Sequence, residues 1–257
     1  LTIDAVASKV TVTITENSDE VTYDGNDHTI KGYASMVADN ELYDVTTAVK
    51  ATETDAWTVT KRNAGTYDMG IVPGDFENLD KNFTDVEFVV VDGQLKINQK
   101  AVTVTADNKE KVYDNNPNTD PELTAQIVGT ITGETVQYEI MRVAGQAVGN
   151  YAISVTGDAD QGNYIVSFVN GTFKITKAGA DQLGLSAQPY NEAYDGEAHS
   201  ITAAANVEGA TLYYTTTAPA SEDDLETGRN WSTTAPTWTD VTAAQTVYVK
   251  AEHHDYE

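Results

Sequence analysis

The chain has 257 residues, 40 of them acidic and 15 basic, for a formal net charge of -25. Phosphate backbones and anionic membranes repel such a surface, which argues against nucleic-acid partners and direct membrane insertion. Cysteine is absent, so disulfides, thiolate metal sites and cysteine nucleophiles are excluded and folding must rest on packed cores.

Strand patterning begins at once. KVTVTI, Lys9 to Ile14, alternates apolar and polar residues with period two, as a half-buried strand does. Tyr23-Asp24-Gly25 follows as a turn, in which the Asp carboxylate can accept from backbone N–H groups just beyond it. The tyrosine is expected to bury its ring and to find a backbone partner for its hydroxyl. Trp57, in TDAWTVT, sits in strand alternation and reads as core. Gly65-Thr66-Tyr67 and Lys81-Asn82-Phe83 come next. VEFVVV, Val86 to Val91, is the longest strongly apolar run, far short of the ~20 residues that span a bilayer. Asp92-Gly93 has the residues of a two-residue type I′ hairpin, which puts Leu95 and Ile97 on one face and Lys96 on the other.

The pattern then restarts. AVTVTA, Ala101 to Ala106, is a second opening strand, and Tyr113-Asp114 recurs with Asn115 in place of the glycine. Asn best tolerates the same left-handed backbone. Gly149-Asn150-Tyr151 and Gly162-Asn163-Tyr164 keep the earlier order, and VNGTFKI, Val169 to Ile175, aligns without gaps on VDGQLKI, Val91 to Ile97. Asp158, Asp160 and Asn163 lie on a glycine-containing loop whose hard oxygen donors suit Ca²⁺, although the bidentate acid of an EF-hand is missing. A plain acidic turn between two strands is the simpler reading, and calcium the weaker one.

A third start is Tyr194-Asp195-Gly196, in EAYDGEAHSI, close to EVTYDGNDHTI at Glu20 to Ile30. The nearest helical candidate is Ser221 to Asn230. Trp231 and Trp238 flank a polar segment where exposed rings would stack on sugars. His253-His254-Asp255 is a conceivable transition-metal set, read more simply as an exposed loop. Asp255-Tyr256 matches the Asn-aromatic marker, after which the closing hairpin is missing. The Tyr-Asp pairs at Tyr23, Tyr113 and Tyr194 stand 90 and 81 residues apart. Ordered markers at that period signal repeats, with boundaries at 1–99, 100–177 and 178–257. The expected fold is all-β: immunoglobulin-like sandwich modules placed end to end, the third truncated. The abrupt start and stop read as a fragment of a longer protein.

The Tyr-Asp-Gly start, the Gly-x-Tyr strand and the closing Asn-Gly-x-Phe-Lys-Ile resemble the MBG-type and related bacterial Ig-like repeats. That resemblance implies tandem sandwiches in secreted or cell-surface, adhesin-like proteins, and it carries no catalytic residue to transfer. No Gly-x-Ser-x-Gly, Gly-x-Gly-x-x-Gly or Walker pattern occurs. The expectation is a non-catalytic, extracellular, monomeric spacer without cofactor, holding a distal binding region outward. Tyr23, Asp24, Gly25, Tyr113, Asp114, Tyr194, Asp195 and Gly196 are its structural staples. The alternative is a module that binds glycan or host matrix protein through Trp231 and Trp238.

Overall fold

The computed structural model describes residues 2–52, 57–221, 224 and 230–257, so the helical candidate at Ser221–Asn230 lies largely outside the described residues. The chain is all-β. The first repeat contributes β1 (Val10–Glu16), β2 (Asp19–Thr22), β3 (His28–Lys31), β4 (Tyr33–Ala38), β5 (Val49–Ala51), β6 (Thr58–Lys61), β7 (Gly65–Asp68), β8 (Phe76–Asn78), β9 (Val86–Val91) and β10 (Gln94–Asn98). The second contributes β11 (Lys100–Ala106), β12 (Lys109–Val112), β13 (Ala125–Val128), β14 (Glu139–Arg142), β15 (Gly149–Thr156), β16 (Asp160–Gln161), β17 (Tyr164–Val169) and β18 (Gly171–Thr176). The third has β19 (Ser186–Gln188), β20 (Thr202–Ala204), β21 (Thr211–Thr215) and β22 (Tyr248–Glu252). Among the described residues no helix is long and apolar enough to cross a membrane.

Two compact units emerge. One comprises Leu1–Thr105, Ala125–Glu139 and Val155–Val169; the other comprises Ala106–Thr124, Ile140–Ser154 and Asn170–Glu257. The first unit holds the sheets β4-β1-β9, β2-β10-β7 and β13-β11-β17-β16, with the small pairs β3-β6 and β5-β8. Its core follows from strand alternation: Val10, Val12 and Ile14 are fully buried every second residue along β1, and Leu95 and Ile97 do the same on β10. Burial of one such side chain is worth ~1.5–3 kcal/mol. Trp57 is buried against Phe76, ring centroids 5.2 Å apart, and its indole N–H donates to Asp75 at 3.1 Å. The second unit holds β12-β18-β15-β14, with Phe173, Ile175 and Ile153 buried, and the two-stranded sheets β19-β20 and β21-β22.

The type I′ hairpin expected at Asp92-Gly93 does not form, and none forms at the aligned Asn170-Gly171. Instead β9 runs parallel to β1, while β10 pairs in parallel with β2 and antiparallel with β7. In the second repeat β17 runs parallel to β11, and β18 parallel to β12. The opening and closing strands therefore change sheets side by side. Neither Gly93 nor Gly171 has a positive φ. The glycine serves close approach instead: a Cβ on Gly93 would lie 2.3 Å from the Asn17 carbonyl oxygen, and one on Gly171 2.8 Å from that of Ala106. Asp-Gly and Asn-Gly signal both solutions, so the dipeptide alone does not choose between a turn and a crossing.

Changing sheets frees ladder N–H groups, which side chains then recover. Glu16, buried at the β1 bulge, accepts from the Gly93 and Ile71 amides at 2.6 Å each. Ser18 accepts from the Gln94 amide at 3.1 Å, and in the second repeat Asn108 accepts from the Thr172 amide at 2.8 Å. A buried amide left without a partner would cost ~1–3 kcal/mol.

Candidate functional site

The three Tyr-Asp loops share one backbone. Gly25, Asn115 and Gly196 have φ of 80°, 52° and 87°. In each, the Asp carboxylate accepts from an amide two residues on: Asn26 at 2.9 Å, Asn116 at 3.0 Å and Glu197 at 2.9 Å. A second donor completes the turn. His28 and His199 reach Asp24 and Asp195 at 2.9 and 2.8 Å, while Lys111 reaches Asp114 at 2.7 Å. The Asn26 amide, with Asn26 and His28 side chains, holds the Asp24 carboxyl at about 2, and Lys111, then Thr119, holds Asp114 at about 2. His199, then the Glu197 amide, lowers Asp195. Each histidine is thereby committed to a loop.

The tyrosines that open these loops do a second task. In the first unit, Tyr23 is buried edge-on against Tyr164, centroids 5.6 Å apart. Both hydroxyls donate to Glu134, at 2.8 and 2.6 Å. The Ala64 amide, just before Gly65-Thr66-Tyr67, donates to the Asn163 side chain at 2.8 Å. In the second unit the same constellation recurs. Tyr113 packs edge-on against Tyr256 at 5.4 Å, and the Val148 amide, just before Gly149-Asn150-Tyr151, donates to the Asp255 carboxylate at 2.6 Å. In both, a Tyr-Asp loop and a Gly-x-Tyr strand grip the Asn/Asp-aromatic turn that lies one repeat further along the sequence. The Tyr23 hydroxyl bonds a carboxylate rather than the backbone partner expected from sequence. Glu134 lowers its own pKa by accepting from Tyr164 and Tyr23, and raises that of Tyr23. Burial raises Tyr113.

The third tyrosine departs from this pattern. Tyr194 is 65% exposed, against 3% for Tyr23 and 8% for Tyr113, so it does not bury its ring as a staple should. Beside it runs a groove of about 600 Å³ lined by Tyr190, Glu192, Tyr194, Trp238, Gln245 and Val247 among others. Trp238 bridges to His199 through paired backbone hydrogen bonds of 3.0 Å. Trp231 is half-buried elsewhere: Lys250 covers its ring at 5.2 Å and its indole N–H donates to the Asp224 carbonyl.

The other candidates resolve individually. Asn163 spends its carboxamide on Ala64 and Asn63, and Asp160 accepts from Gln99 and the Gly162 amide. Asp158 engages through its carbonyl, with Gln161. His253, His254 and Asp255 bring ligand atoms within 4.8 Å of one another. This is no exposed loop, for Asp255 is buried. Its equivalence to Asn163 explains it as a seam acceptor, and His253 Nδ1 already accepts from the Asp255 amide at 3.2 Å. Glu16 and Glu134 carry no sequence signal, being two acids among 40.

Sheets closed by parallel opening and closing strands, joined through a recurring seam, define an all-β repeat protein. Residues 102–174 match the sequence profile of the MBG domain (YGX type). Neither the characterised proteins nor the solved structures include a match to the chain.

Proposed function

We propose that this segment is a non-catalytic spacer of a bacterial surface or secreted adhesin-like protein, its modules bounded at 1–99, 100–177 and 178–257. What supports the reading is the seam. The same ring pair and the same amide-to-side-chain bond recur at two successive joints. Joints that repeat in such detail restrict bending, the property a spacer needs. The MBG match at 102–174 adds a domain type suggestive of surface repeat proteins. A second reading, a glycan- or matrix-binding module, draws on Trp238 in the groove wall. Arrays of glycans and matrix proteins probed with the chain and with Trp238→Ala separate the two. The spacer reading expects silence from both proteins. Saturable binding lost in Trp238→Ala would replace it with the second.

A further inference from the structure

We propose that His253, His254 and Asp255 form a binding site for a divalent transition-metal ion of the zinc class, set beside the Tyr113–Tyr256 ring pair of the second unit.

Asp255 carries a charge that the seam itself does not need. In the first unit the same place is held by Asn163, whose neutral carboxamide accepts from the Ala64 amide at 2.8 Å, as Asp255 accepts from the Val148 amide at 2.6 Å. Asp255 is only 2% exposed. Burying a carboxylate where a carboxamide suffices is costly unless a cation shares the site. The neighbouring positions change together with it. The turn reads Gln161-Gly162-Asn163-Tyr164 in the second repeat and His253-His254-Asp255-Tyr256 in the third. Three successive positions with no imidazole or carboxylate thus become two imidazoles and a carboxylate. Carboxylates and carbonyls alone suit Ca²⁺ and Mg²⁺, whereas imidazole nitrogens select ions such as Zn²⁺, Cu²⁺ and Ni²⁺.

The geometry fits coordination. Ligand atoms of the three residues lie within 4.8 Å of one another, and among the described residues no other such group occurs. Asp255 Oδ2 is 3.1 Å from His254 Nε2 and 3.9 Å from His253 Nδ1. Donors around a tetrahedral zinc ion stand about 3.4 Å apart, so small side-chain rotations close the set. His253 Nδ1 accepts from the Asp255 amide at 3.2 Å. That bond keeps the nitrogen unprotonated, the form in which an imidazole binds a metal, and it is the one contact the ion must displace there.

Outer contacts hold the ligands in place. The Val148 amide occupies Oδ1 of Asp255 and leaves Oδ2 toward the histidines. The His253 side chain, 11% exposed, packs against Tyr113 and Tyr256, ring centroids 6.3 and 5.3 Å away. Such surroundings orient metal ligands and tune their affinity. His254 is exposed and gives the ion its way in, and the aligned Gly162 is exposed in the second repeat as well. A bound ion ties the seam acceptor to its own loop and so stiffens the joint.

The test titrates the whole chain, stripped of metal by a chelator, with zinc chloride in a calorimeter, with millimolar Ca²⁺ present to occupy the acidic surface. Uptake of one zinc per chain is expected, with a rise in melting temperature. Asp255→Asn separates the metal role from the seam role. Because Asn163 shows that a carboxamide serves the seam, this variant should melt close to the parent without metal and bind zinc roughly tenfold or more weakly, since even outer-shell losses cost that much. His254→Gln, at an exposed position, should weaken zinc to the same degree and decides the matter if Asp255→Asn does not fold. His28→Gln, in another loop, should bind as the parent does. Absence of saturable uptake overturns the proposal. So does parental affinity in either ligand variant, which assigns the zinc to scattered surface carboxylates.

Discussion

Gly93 offers the sharpest test of the sheet crossing. As the second residue of a type I′ turn it would have positive φ, and Asn would replace it at little cost. At a crossing every side chain collides, because a Cβ there lies 2.3 Å from the Asn17 carbonyl oxygen and 2.7 Å from Glu16 Cβ. Gly25 is the matched control. Its φ is 80°, Asn115 occupies the equivalent place in the second repeat, and the nearest atom to an added Cβ is a side-chain carbon of Ile131 at 3.2 Å. Gly25→Asn should therefore cost about 1 kcal/mol, the ordinary left-handed penalty. Gly93→Asn forces two backbones apart, at ~1–3 kcal/mol for overpacking. It also strains the buried amide bond to Glu16, at another ~1–3 kcal/mol. Urea unfolding followed by tryptophan fluorescence resolves the difference: with m of ~1–3 kcal/mol/M, a further ~3 kcal/mol moves the midpoint by ~1–3 M. Equal midpoints for the two variants would restore the hairpin and refute the crossing argument.

Glu16 should be nearly as sensitive. Glu16→Ala strands the Ile71 and Gly93 amides and should cost roughly 2–6 kcal/mol, with Glu16→Gln in between because one acceptor oxygen survives; losses below about 0.5 kcal/mol in urea unfolding would contradict that role. The pH profile should be bounded on both sides. Asp24 and Asp114 fall from 3.8 to about 2 on folding, while Asp195 and Glu134 are also lowered. Their stabilisation is present above the unfolded values and disappears as pH falls through the folded ones. Tyr23, Tyr113 and Tyr164 are raised above 10.0, so their contribution is complete below that value and is lost as pH climbs through the raised ones. A melting temperature that stays level as pH drops from about 4.5 to about 2 is incompatible with this assignment.

What the sequence discloses follows from where each interaction lives. Period-two alternation records burial residue by residue, so Val10, Val12, Ile14, Leu95 and Ile97 could be placed in a core without coordinates. The Tyr-Asp loops were legible because their bonds span only two to four residues. The crossing at Gly93 was not, because its cause is the Asn17 carbonyl 76 positions away, and Asp-Gly suits a hairpin equally well. Nor was the seam, where Tyr23 meets Glu134 across 111 positions. There the repeat did hold a clue: Ala64 and Val148 stand in the same place before a Gly-x-Tyr, and Asn163 and Asp255 in the same place before a tyrosine. Equivalent polar residues in successive repeats face equivalent partners, and only the pairing between them needed the fold.

A repeat whose opening strand pairs in parallel with its closing strand cannot finish its sheets until the last residues of the repeat arrive, since every rung from Lys100–Tyr164 to Thr105–Val169 joins its two ends. The turn that begins the closing strands, Asn163-Tyr164 or Asp255-Tyr256, is also the turn gripped by the preceding repeat. Completion of one module and docking to its neighbour therefore use one element. In the third repeat the Asp255-Tyr256 turn is gripped by Val148 and Tyr113.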